Sequence, residues 1–133
     1  MLIRLARLTD VPAIYHLITQ ATQRGKILKR SLKEIEKAAH HFWVVEEQNK
    51  IIACCALEIY NKKLAEIRSL VVEVKEQKKG LATHLLNHCL KEAKKKKILE
   101  ILAITDRINL FKRLGFSEQL HGQKPLFLRT RAK

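Results

Sequence analysis

The apolar stretch Leu70-Val71-Val72 runs into the polar segment Glu73-Val74-Lys75-Glu76-Gln77-Lys78-Lys79. That segment ends in Gly80, where a helical pattern begins with Leu81-Ala82-Thr83. The start of a helix leaves backbone N–H groups without intrahelical acceptors and carries a partial positive charge. It is therefore a ready seat for phosphate. Gly80 has no Cβ to hold a phosphate away from the backbone, and Lys78 and Lys79 add formal charge at the same place. The segment reads as a binder of a ligand that carries a pyrophosphate.

Elements on either side must hold that turn in place. Leu2 to Leu5 reads as a short strand. Thr9-Asp10-Val11-Pro12 opens a helix, with Thr9 or Asp10 as its cap and proline in its first turn. Ile14, Leu17, Ile18 and Ala21 form the apolar stripe of that helix, and Gly25 ends the region. Ser31-Leu32-Lys33-Glu34 has the form of a capping box and starts a second helix. Phe42 to Glu46 and Ile51 to Tyr60 read as neighbouring strands joined by Gln48-Asn49-Lys50, where Asn49 tolerates left-handed geometry. Asn61-Lys62-Lys63 leads into a third strand of this group, Leu64 to Val74.

The helix from about Lys79 to Lys96 buries Leu81, Leu85, Leu86, Cys89 and Ala93. Ile98 to Ile104 is a nearly continuous apolar run, which predicts a strand covered on both faces. Asn109 to Leu114 reads as a short helix stopped by Gly115. Phe116 onwards returns to strand, with Pro125 to Leu128 as a last one. This order predicts one α/β domain over residues 1–133, a sheet with helices on both faces.

Composition narrows the partners. The 133 residues hold 27 Lys and Arg against 13 Asp and Glu, a net charge of +14. Such a field favours anionic partners and disfavours polyamines. The densest block, Lys94-Lys95-Lys96-Lys97, closes a helix, where cations complement the dipole. It reads as a solvated helix end rather than a nucleic-acid patch, and no aromatic platform accompanies it. No apolar run is long enough to span a bilayer. The N-terminus lacks the features of a signal peptide, which points to the cytoplasm.

Cys54, Cys55 and Cys89 make no disulfide framework, and adjacent Cys54 and Cys55 belong on opposite faces of a strand. They read as small buried hydrophobes. No Cys/His spacing suits zinc, no histidine is assigned a metal or catalytic role, and Trp43 reads as core.

The element order, with Gln77-Lys78-Lys79-Gly80-Leu81-Ala82 opening the long helix, resembles the GCN5-related N-acetyltransferase (GNAT) superfamily. Its pyrophosphate loop, Gln/Arg-x-x-Gly-x-Gly/Ala, fits at Gln77, Gly80 and Ala82. Leu110-Phe111-Lys112-Arg113-Leu114-Gly115-Phe116 is similar to the family's late aromatic-x-x-Leu-Gly-Phe segment. Within the superfamily, three stretches resemble the acetyltransferase domain of bacterial N-acetylglutamate synthases. They are Gly25 to Ser31, Ala65-Glu66-Ile67-Arg68-Ser69-Leu70-Val71-Val72, and Thr105 to Phe116. Lys29 replaces a usual proline, the kinase domain of the long forms is absent, and the tail from Pro125 matches loosely.

The resemblance implies a GNAT fold, with a mixed, mostly antiparallel central sheet, and acetyl-CoA as co-substrate with no metal. Backbone of Leu70, Val71 and Val72 would hold the pantetheine and polarise the thioester. Gln77, Lys78, Lys79, Gly80, Leu81, Ala82 and Thr83 would hold the diphosphate, with Asn109 and Phe111 beside the cofactor. Glu66 stands where some members place a catalytic glutamate, and it could take the amine proton directly or through a water. Arg68 shares its strand face, so a structural Glu66–Arg68 pair is the competing reading. Phe111 stands where many members carry a tyrosine acid. Arg30 matches an arginine expected to bind a substrate carboxylate through two parallel hydrogen bonds. Arg68, Arg129 and Arg131 could add to that clamp.

The expected activity is acetyl transfer to the amine of a small amino acid, glutamate first, as in arginine biosynthesis. Another small amine or a protein amine, a non-catalytic CoA-binding module, and a nucleic-acid-binding module are the alternatives. Neither a membrane nor nucleic acid is the expected partner, and a homodimer stays open.

Overall fold

The computed structural model describes residues 1–25, 29–77 and 80–131. Its elements in chain order are β1 (Leu2–Leu5), α1 (Val11–Gln23), α2 (Leu32–Ala38), β2 (Phe42–Glu47), β3 (Lys50–Ile59), β4 (Leu64–Val72), α3 (Leu81–Lys95), β5 (Glu100–Ala103) and α4 (Ile108–Arg113). The five strands lie in chain order in one sheet. β1 to β4 pair antiparallel, while β5 joins β4 in parallel. This is the mixed sheet with helices on both faces that the element order predicts.

Strand alternation divides the core in two. On one face Val44, Cys54, Ala56 and Val71 pack against Ile14, Leu17 and Ile18 of α1 and Ile35 of α2. On the other, Val45, Cys55, Leu57, Ile67 and Val72 pack against Leu81, Leu85, Leu86 and Cys89 of α3 and Phe111 of α4. Adjacent Cys54 and Cys55 thus enter opposite layers, as a two-residue period requires. All three cysteines are buried and free, and burial pushes the Cys54 thiol up to about 12.

Local chemistry sets the element ends. Ser31 Oγ accepts from Glu34 N at 3.1 Å while Glu34 Oε1 accepts from Ser31 N at 3.4 Å, which completes the capping box of α2. Gln48 and Asn49, with φ of 50° and 62°, make the tight β2–β3 turn, and Lys50 already belongs to β3.

Four sequence-based expectations fail. Asp10 does not cap α1 with its side chain, because Arg4 claims the carboxylate. Arg4 Nη1 donates to Asp10 Oδ2 at 2.7 Å, and its Nε donates to Glu46 Oε1 at 2.8 Å. β4 stops at Val72 because Val74–Glu76 turns into a short 3-10 segment. β5 is a four-residue, half-buried strand with one neighbour, not a strand covered on both faces. Its apolar run is broken only at Glu100, but Leu99 and Ile104 near its ends stay exposed. The segment after Phe116 forms only an isolated Leu120–Gln123 bridge. Pro125 cannot donate to a ladder, and Leu126, Phe127 and Leu128 are exposed.

The Arg4–Asp10 pair ties β1 to the start of α1, with side chains 14% and 10% exposed. Hydrogen bonding from Arg4 holds the Asp10 carboxyl below the usual carboxylate range, against the opposing effect of burial. Its stabilisation is therefore complete above the ordinary aspartate pKa and is lost as pH falls through the lowered value. Asp10→Asn should cost about 1.5–3 kcal/mol at pH 7 in denaturant unfolding, since it removes a charge-assisted acceptor from Arg4, which keeps Glu46. The gap should shrink as pH falls well below the ordinary aspartate pKa, and an equal gap at neutral and acid pH would refute the role assigned to this pair.

Candidate active site

The site begins where two strands part. Parallel pairing of β4 with β5 covers Leu64 to Ile67 and ends at Ile67–Ala103. β5 stops there, while β4 runs on to Val72. The backbone groups of Arg68 to Val72 that face β5 have lost their ladder partners, so this edge is open to main-chain hydrogen bonding by another molecule. Leu70, Val71 and Val72 all lie on it.

A bulge adjusts the same stretch. Ala56 pairs with Arg68 and Cys54 with Val71, so Ser69 and Leu70 together face Cys55. Ser69 has a φ of 55°, rare for a residue with a Cβ. An extra residue in one strand bends it and re-aims the residues beyond the bulge.

Beyond β4 the chain reaches the turn into α3. Gln77 Nε2 donates to Val72 O at 3.1 Å, which folds the turn back on the strand end. Gly80 has a φ of 75°, and a Cβ placed there would meet only His84 Cδ2, at 3.9 Å. Among the described residues, the space beside Gly80 is therefore open. Leu81 and Ala82 are buried in the core beneath it, and Thr83 is half-buried. The first-turn N–H groups of α3, at a helix start, have no intrahelical acceptors. Lys78 and Lys79 lie outside the described residues. Asn109 is exposed on the first turn of α4. Phe111 is buried, its ring edge-on to Phe116 with centroids 5.1 Å apart.

On the α1–α2 side of the sheet lies a compact charged set. Glu58 on β3 and Glu66 on β4 are cross-strand partners. Tyr60 donates its hydroxyl to Glu66 Oε1 at 2.5 Å. That bond, aided by burial, pushes the phenol up to about 12, so Tyr60 stays protonated at neutral pH. Glu66 is only 9% exposed. Arg30 is 5% exposed; its Nη2 donates to Glu58 Oε1 at 3.0 Å and its Nη1 to Ser69 Oγ at 3.3 Å. The guanidinium also stands 5.6 Å from the Phe42 ring centre. Arg68 Nη1 donates to Glu58 Oε2 at 3.2 Å. Beside this set lies a cavity of about 360 Å³, lined in part by Arg30, Lys37, His41, Glu58 and Tyr60.

Of the residues the sequence singles out, Glu66, Arg68 and Arg30 come together. The competing reading, a Glu66–Arg68 pair, does not form among the described residues: Arg68 bonds Glu58, and Glu66 bonds Tyr60. Arg129 and Arg131 lie exposed in the irregular tail, with no ion pair among the described residues. Glu58, Tyr60 and Ser69 escaped the sequence reading. A signal for two of them existed: Cys54 and Ala56 put one face of β3 in the core, and the same alternation carries Glu58 and Tyr60 onto that face.

Comparison with known proteins agrees with this geometry. Residues 11–116 match the Acetyltransferase (GNAT) family. The chain is 34% identical over 116 residues to the Uncharacterized N-acetyltransferase CT2212 of Chlorobaculum tepidum, covering 87% of this chain and 75% of that protein. It is 32% identical over 116 residues to the amino-acid acetyltransferase of Pasteurella multocida, covering 86% of this chain but 26% of that protein. Its fold superposes on N-acetylglutamate synthase from Neisseria gonorrhoeae, complexed with coenzyme A and N-acetyl-glutamate, with a TM-score of 0.82 and 28% identity. That match covers 87% of this chain and 28% of the gonococcal one. The chain thus spans about a quarter of the length of these last two proteins. With a parted β4–β5 pair, an open helix start at Gly80 and this match along most of its length, the chain belongs to the acetyltransferase (GNAT) family and is an N-acetyltransferase that uses acetyl-CoA.

Proposed function

We propose that this N-acetyltransferase acetylates the α-amine of a small amino acid, with glutamate the first acceptor to test. The observation that carries this reading is the buried Glu66 carboxylate directly across from Glu58, whose own carboxylate holds two guanidinium groups, two residues before the open strand edge where the acetyl donor docks. A carboxylate can take an amine proton, and a guanidinium can orient an acidic amino acid. The names of the Pasteurella and gonococcal proteins support the same class of acceptor.

In this reading the CoA diphosphate lies against the first turn of α3, over Gly80. The pantetheine runs along the open edge of β4, and backbone of Leu70 to Val72 aligns the thioester. Glu66 takes a proton from the acceptor ammonium, directly or through one water. Tyr60 holds one carboxylate oxygen and leaves the other for this transfer. The freed amine attacks the thioester carbon, and preset backbone N–H groups stabilise the oxyanion. Collapse forms the N-acetyl amide and expels the CoA thiolate. Phe111 has no proton to give, so the second proton that the attacking nitrogen must lose passes through water to the thiolate. Arg68, a third exposed, meets the acceptor's carboxylate, with Arg30 behind it. A glutamate acceptor would place the reaction in arginine biosynthesis and the protein in the cytoplasm.

Release of free CoA thiol, screened across amino acids and amines, should be fastest with glutamate or a close relative. Background rates with every amino acid would sink the proposal. Gly80→Asp puts a carboxylate where the diphosphate sits and forces a Cβ onto a left-handed backbone. Its acetyl-CoA Kd should rise at least about tenfold, and an unchanged Kd would remove the diphosphate assignment. Glu66→Gln should lower kcat/KM by about 10²–10⁴ while the Kd for acetyl-CoA stays put. Wild-type turnover across the pH range would dismiss Glu66 as the base.

A further inference from the structure

We propose that Tyr60 is the exit for the proton that Glu66 takes from the acceptor: its hydroxyl passes that proton from the buried carboxyl to solvent. This inference rests on Glu66 as the base and deepens that reading.

Acetyl transfer at neutral pH turns an ammonium and a thioester into an amide and a thiol. The nitrogen loses two protons, and the thiol keeps one of them. The other is set free at every turnover, and Glu66 must shed it before it can serve again. Glu66 is only 9% exposed, so water has poor access to its carboxyl. Tyr60 Oη donates to Glu66 Oε1 and is the one side chain bonded to that carboxylate among the described residues. Tyr60 itself is 52% exposed and lines the cavity of about 360 Å³ beside the charged set, which Glu66 does not line. The base therefore reaches that open space through the phenol. The two arginines of the set bond Glu58 instead, and a guanidinium has no lone pair with which to accept a proton.

A phenol suits this task, because its oxygen both donates and accepts hydrogen bonds. Once Glu66 is protonated, its carboxyl turns about the Cγ–Cδ bond and donates its O–H to Tyr60 Oη. The phenol swings its own O–H to a solvent water. The Glu66 O–H bond then breaks as a new O–H bond forms on Tyr60, and the old Tyr60 O–H bond breaks as its proton joins the water. One proton has left the site, and the carboxylate and the neutral phenol are both restored. The bond to Glu66, aided by burial, pushes the phenol up to about 12, so Tyr60 ends each transfer protonated at neutral pH.

The test is a single turnover. The acetyl-CoA complex is mixed with glutamate, or with the acceptor that the amine screen selects, in weak buffer holding a pH indicator. Loss of the thioester and release of the proton are followed together. In the wild type the two should coincide. In Tyr60→Phe the proton should appear at least about tenfold more slowly than the thioester disappears, and added imidazole, a small proton carrier, should shorten the delay. A Tyr60 that only positions Glu66 would slow thioester loss and leave the proton in step with it. An unchanged Kd for acetyl-CoA shows that the variant is folded; should it fail to fold, the wild-type timing decides alone. A proton that lags in the wild type, keeps pace with the thioester in folded Tyr60→Phe, or lags there regardless of imidazole overturns this inference and spares the base. Thioester loss at the wild-type rate in Glu66→Gln overturns both.

Discussion

Parallel pairing between β4 and β5 ends after four residues, and the architecture of the site results from that early stop. A sheet edge normally seeks a partner, because each unpaired amide and carbonyl loses a hydrogen bond when water is excluded. Here the partner strand is too short to supply one beyond Ile67. The bulge at Ser69 turns the exposed edge, and the Gln77 amide on Val72 O brings the helix start to its end. One unpaired stretch of backbone thus meets one unpaired helix turn, and an extended cofactor with an anionic tail can satisfy both.

The acceptor side obeys a different logic. Charged side chains are costly to bury unless each finds a counterpart. Arg30 is buried because it immediately precedes the Ser31 cap of α2, whose Ile35 anchors that helix in the core. Glu58 answers it from β3, and Arg68 answers Glu58 from β4. Two ion pairs thereby tie the start of α2 to the β3–β4 hairpin. Glu66, bonded to Tyr60 instead, keeps its position without being drawn into an arginine pair. That separation leaves its carboxylate outside any arginine pair, two residues before the open stretch of β4.

Periodicity and capping made much of this fold legible. The stripe of α1, the buried face of α3, the Ser31 capping box and the split of Cys54 from Cys55 each depend on neighbours within a few residues. The same reasoning failed wherever a distant group outbid a local one. Asp10 is a sound cap in isolation, yet Arg4 offers it two charge-assisted bonds. The run at Ile98 to Ile104 has the hydropathy of a central strand, but hydropathy does not record how many neighbours a strand will have. At the site, Gly80 and Glu66 stood out because loop and strand motifs are local in sequence. Glu58 and Tyr60 did not, because their meaning comes from the strand across from them.

Enclosure of the thiols bears on how catalysis can be monitored. With Cys54, Cys55 and Cys89 all sealed in the two core layers and free of solvent, a chromogenic disulfide reagent has no protein sulfur to reach in the native state. Colour that develops during turnover therefore counts liberated coenzyme, and late protein labelling would report global unfolding.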